Sequence, residues 1–86
     1  MDDRQKALSK FTYLKKELYD LGVKAQALVN TIHEETDTFL SENDFTTIDF
    51  KKIETLSIEL QNIQKDFKEK AETFNKIKNT FKFSEH

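Results

Sequence analysis

Few side chains in this sequence are of a type and spacing that do chemistry. His33 stands with Glu34 and Asp37, and residues four apart on a helix share a face, so His33 and Asp37 have the geometry of a two-ligand metal site. Zinc asks for more nitrogen or sulfur than this. The other histidine is His86, at the chain end, and there is no cysteine, which removes thiolate catalysis, disulfides and sulfur-ligated metals. Glu34, Glu35, Asp37, Glu42 and Asp44 offer oxygens to a hard cation, but neither the EF-hand spacing nor its turn glycine is present. Lys65, Lys68, Lys76, Lys78 and Lys82 could meet phosphates, yet lysines near a helix C-terminus also complement its dipole. There is no glycine-rich phosphate loop, nucleophile elbow or paired-histidine motif. The expectation is a protein that is not an enzyme and has no cofactor and no metal site, with these charges forming solvated faces.

The elements that carry these residues are read from apolar spacing. Ala7, Phe11, Leu14, Leu18, Leu21, Ala25, Leu28, Ile32, Glu35 and Phe39 alternate steps of four and three. Ile53, Leu56, Leu60, Ile63, Phe67, Lys70, Phe74, Ile77 and Phe81 do the same. Each track keeps one helix face apolar, interrupted once by a charge, Glu35 in the first and Lys70 in the second. One glycine and no proline suit long helices rather than a sheet. Ser41, Asn43, Asp44, Thr46 and Thr47 mark the break between tracks, since their side chains compete for backbone hydrogen bonds. Thr46 or Thr47 is the expected N-cap of the second helix, with Asp49 in its first turn and Phe45 and Phe50 stapled across the cap. The spacing predicts a single all-α domain over residues 1–86: helix 1 near 3–41, a turn near 42–46 and helix 2 near 47–82. So short a link makes the helices antiparallel. Gly22 reads first as a tolerated interior glycine and second as a close helix–helix crossing; a break at Asp20-Leu21-Gly22 is disfavoured because the apolar register passes through unshifted.

With the tracks labelled a and d, the e flanks read Leu8, Lys15, Gly22, Val29, Thr36 and Phe50, Ser57, Gln64, Ala71, Lys78. The g flanks are charged or threonine throughout: Lys10, Glu17, Lys24, Thr31, Thr38 and Lys52, Glu59, Asp66, Thr73, Thr80. A stripe widened to a, d and e suits a bundle of more than two helices. The expected assembly is a homodimer of hairpins forming an antiparallel four-helix bundle. Its core and dimer interface would use Phe11, Leu14, Leu18, Leu21, Ala25, Leu28, Val29, Ile32 and Phe39 from helix 1, and Ile53, Leu56, Leu60, Ile63, Phe67, Ala71, Phe74, Ile77 and Phe81 from helix 2. Net charge runs +2 over residues 1–29, −6 over 30–59 and +2 over 60–86. Head-to-tail pairing sets each acidic tip against the partner's basic termini. A net charge of −2 argues against nucleic acid as a partner, and no apolar run is long enough to span a membrane. A further protein partner is left open; Tyr13, Tyr19 and Val23, off the stripe, could form a second contact, though single exposed apolar residues are ordinary on a protein surface.

Two long helices, a short turn and expected antiparallel dimerisation make the chain resemble, in architecture, the small secreted helical hairpins of the Trp-x-Gly family. That family's turn motif falls at Asn43-Asp44-Phe45-Thr46, which holds neither Trp nor Gly, and its C-terminal aromatic-x-x-x-acid signal is echoed by Phe81-Lys82-Phe83-Ser84-Glu85. The resemblance implies the hairpin and its dimer. The expected function is that of a non-catalytic protein–protein interaction or adaptor protein, cytoplasmic because the opening Met1-Asp2-Asp3-Arg4 lacks the apolar segment of a signal peptide. The alternative is an effector or carrier secreted without a cleaved signal.

Overall fold

The computed structural model describes residues 2–83, apart from the side chain of Thr38. Two helices, α1 (Asp3–Glu42) and α2 (Phe50–Phe81), lie antiparallel in a rod measuring 60 × 22 × 16 Å. The continuous apolar tracks explain why each helix runs so far: an isolated helix is marginal in water, and a lengthwise apolar face lets the two stabilise each other. Among the described residues there is no strand, and no helix is long and apolar enough to cross a membrane.

Side chains set the helix ends. Asp2 opens α1, its carboxylate accepting the Arg4 N–H at 3.1 Å. Asn43 closes α1 in the left-handed region (φ 58°), a conformation asparagine tolerates better than most, and its N–H donates to the Phe39 carbonyl at 2.8 Å. The cap of α2 differs from the expected threonines: Asp49 is the N-cap, accepting the Lys52 N–H at 3.0 Å, and the helix starts at Phe50 rather than near 47. The physical reason lies in the link. Asp44 takes both the N–H and the hydroxyl of Thr46, at 2.9 and 2.6 Å, and the Ile48 N–H closes a turn onto the Phe45 carbonyl at 3.3 Å. Thr46 and Thr47 are therefore spent inside a turn, and Asp49 is left to reach forward to the first free amides.

The core is uneven along the rod. At the end holding the termini, Phe11, Leu14, Phe74 and Phe83 are buried, with Ala7, Leu18, Ile77 and Phe81 packed against them. The Phe11 and Phe74 rings stack at 4.6 Å, and Phe83 meets Phe11 at 5.1 Å and Phe81 at 5.6 Å. Phe83 reaches this cluster because Lys82 turns left-handed (φ 54°), which folds the chain back and lets the Phe83 N–H bond the Lys78 carbonyl at 3.1 Å. Arg4 closes the same end. Its guanidinium lies 4.9 Å from the centre of the Phe83 ring and donates to the Phe81 carbonyl at 3.0 Å. Among the described residues no aromatic cluster of this kind seals the turn end.

Candidate functional site

The charges that interrupt the apolar tracks are structural. Glu35 accepts the backbone N–H of Asp49 at 3.1 Å and pairs with Lys52 at 3.4 Å, so it ties α1 to the residue that caps α2. Lys70 donates to Asp66 at 2.6 Å. That bond is the main reason its ammonium is held above the usual lysine range. Tyr13 on α1 lies in the same neighbourhood; its hydrogen bond to Glu17, with the charge of that carboxylate, raises the phenol above its ordinary value. Asp44 is pushed below the carboxylate range by the hydroxyl and amide of Thr46. None of these groups converges on a cavity. Among the described residues no group of three or more His, Cys, Asp or Glu side chains is placed to hold a metal ion. His86, and Ser84 and Glu85 of the C-terminal echo, lie outside the described residues.

What the hairpin presents instead is an open apolar face. In an antiparallel pair the two e flanks fall on the same side, and this side is where the stripe stays uncovered. Near the middle of the rod a groove of about 600 Å³ runs between the helices, lined by Leu21, Gly22 and Ala25 from α1 and by Leu60, Gln61, Ile63, Gln64, Phe67 and Lys68 from α2. Toward the turn, Thr36, Phe39, Leu40, Phe45, Ile48 and Phe50 line a second hollow of about 380 Å³. Leu8 and Val29, both on the e flank of α1, are about half exposed. A third hollow, of about 450 Å³ beside Tyr19 and Val23, is formed by α1 alone.

The hairpin distributes the anticipated interface residues in three tiers. Phe11, Leu14, Leu21 and Phe74 are buried within it. Leu18, Ala25, Leu28, Ile32, Ile53, Leu56, Leu60, Ile63, Ala71, Ile77 and Phe81 are half-buried. Val29, Phe39 and Phe67 remain exposed, Phe39 at 42% and Phe67 at 40%. Sequence reasoning missed Phe83 and Arg4 as core-closing residues and Leu40 as part of the turn-end hollow. Phe83 lies two residues past the last track position, so helical spacing carries no sign of it. Leu40, at a b position, was legible only as an apolar neighbour of Phe39.

The area tells the same story as the residues. The hairpin exposes 6730 Å², whereas a compact monomer of 10.2 kDa would expose about 5,300 Å². The excess, about 1,400 Å², exceeds the roughly 800 Å² that each partner commits to an interface of standard size. Compared with protein-family models, curated proteins and solved structures, the chain matches none.

Proposed function

We propose that this protein is a non-catalytic interaction protein that works as a homodimer, two hairpins joining head-to-tail through their open faces into an antiparallel four-helix bundle. The observation that carries the reading is the apolar face along the e flank, with Phe39, Phe50 and Phe67 exposed on a rod too thin to cover them. Large contiguous apolar surfaces on soluble chains mark association sites. Head-to-tail pairing is favoured by charge: the acidic middle of the sequence forms the turn end, and the two basic segments meet at the other. Salt screens such exposed charges, so they select orientation more than strength. Sedimentation equilibrium at micromolar concentration tests the reading; twice the chain mass is expected, and a monomer overturns it.

The hairpin architecture also favours a second reading, a Trp-x-Gly-type hairpin exported without a cleaved signal. Its support is architectural, and finding the protein in culture medium without lysis would favour it over a cytoplasmic adaptor.

A further inference from the structure

We propose that the two-fold axis of the dimer passes over Gly22, so that α1 crosses its partner copy glycine against glycine, with Gln64 of α2 meeting its own copy beside it. This inference rests on the homodimer proposed above and deepens it by naming the point of contact. It starts from the absence of a local reason for the glycine. A Cβ built on Gly22 meets nothing within 4 Å, and Gly22 has no positive φ, so neither packing within the hairpin nor backbone conformation asks for glycine there. Mid-helix glycine costs about 1 kcal/mol relative to alanine. A close approach from outside the hairpin is the remaining physical reason for it.

The position is also the right one. The midpoint of α1 falls between Gly22 and Val23, and that of α2 between Lys65 and Asp66. The central groove joins the two levels, since Gly22 and Gln64 both line it. When two identical faces pair head-to-tail, the axis lies in the face and across the rod. Each helix then lies antiparallel on its own copy. The e positions are spaced symmetrically about that axis: in α1, Leu8 and Thr36 flank Gly22 at equal distance, as do Lys15 and Val29. In α2, Phe50 and Lys78 flank Gln64 equally, and so do Ser57 and Ala71. The pairing therefore covers Leu8, Val29 and Phe50 with partner side chains and leaves no like charges opposed at e. It also lays the acidic turn over the partner's basic termini. A second copy thus fits the groove in shape, symmetry and charge, and the exposed area in excess of a compact monomer is enough for the interface it needs.

The absence of cysteine makes the contact directly testable. Gly22→Cys places the only two thiols of the dimer at the axis, where the Cα atoms can reach the roughly 4.4–6.8 Å that a disulfide requires. Tyr19→Cys, on the exposed outer side of α1, serves as control. With oxidised glutathione at micromolar chain concentration, Gly22→Cys should form disulfide-linked dimer roughly 100-fold faster than Tyr19→Cys, because a paired thiol meets an effective concentration of about 1 mM. Both variants should keep the wild-type circular dichroism; before oxidation Tyr19→Cys should keep the wild-type sedimentation, while Gly22→Cys, whose added side chain enters the close contact, should dimerise more weakly than wild type. A dimeric wild type whose Gly22→Cys variant links no faster than the control overturns the placement of the axis and leaves the dimer standing. A monomeric wild type overturns both.

Discussion

Phe83 offers the sharpest test of the fold, because by sequence it is a residue near the chain end and by structure it is core. Truncation to alanine removes a ring that is 9% exposed and lies against Phe11, Phe81 and the Arg4 guanidinium. Buried phenylalanine-to-alanine changes cost about 3–5 kcal/mol. This site lies at the open end of a hairpin, where neighbours can close over the gap, so the lower bound of about 3 kcal/mol applies. The cation–π contact with Arg4 is exposed and contributes about 0.5–1 kcal/mol of that loss. Urea unfolding followed by far-ultraviolet circular dichroism, at one fixed chain concentration, reads the change. With a slope of about 1.5 kcal/mol/M the midpoint should fall by about 2 M without a change in slope. Substitution at an ordinary exposed terminal position changes stability by less than about 0.5 kcal/mol. A Phe83→Ala midpoint within that range of wild type would refute the C-terminal fold-back and the aromatic cluster it completes.

Three further outcomes follow from named contacts. Lys82→Gly should raise stability by about 1 kcal/mol, since a side chain pays roughly that to sit at φ 54°; thermal unfolding should show a gain of about 4–8 °C, and a loss would mean that the left-handed turn is absent. Glu35→Ala leaves the Asp49 N–H without its acceptor and Lys52 without its pair, and should cost about 1–2 kcal/mol by urea unfolding; Glu35→Gln, which keeps an acceptor, should lose about half as much. Stability should also fall at both extremes of pH. Lys70 and Tyr13 have raised values, so what they contribute is present at neutral pH and is lost as pH rises through those values. Asp44 has a lowered value, so its contribution is lost as pH falls through that value, and Asp44→Asn should show a shallower acid limb in a pH series of urea midpoints.

The helices were legible because their signal is long. Nine or ten track positions per helix outvote any single disagreement, which is why Glu35 and Lys70 did not disturb the reading. The link was less legible because three cap-forming residues, Thr46, Thr47 and Asp49, lie within four positions. The outcome depended on Asp44, whose carboxylate engages Thr46 and shifts the cap to Asp49. Pattern reading ranks such residues by type and cannot see which partner reaches first. Phe83 was invisible for a related reason. Its burial follows from one left-handed residue, and Lys82 carries none of the glycine signal that usually announces that turn.

The uneven core gives the two charged track residues different meanings. At the terminal end, Phe11, Phe74 and Phe83 fill the space between the helices, and a strand of such contacts sets the register by shape alone. Toward the turn the track phenylalanine points to an open hollow, so shape specifies little there. Glu35 supplies what shape does not: its carboxylate can satisfy the Asp49 amide and Lys52 together only when the helices stand in one register. An apolar residue at the same position would bury more area but would accept several registers equally. A half-buried carboxylate with two defined partners trades some hydrophobic stabilisation for a single alignment. That alignment has a consequence beyond the hairpin. A one-residue slip of α2 would move Gln64 off the level of Gly22, so the e positions of the two helices would no longer be centred on one axis; the lock at Glu35 therefore also holds the central groove in the form that the proposed second copy requires.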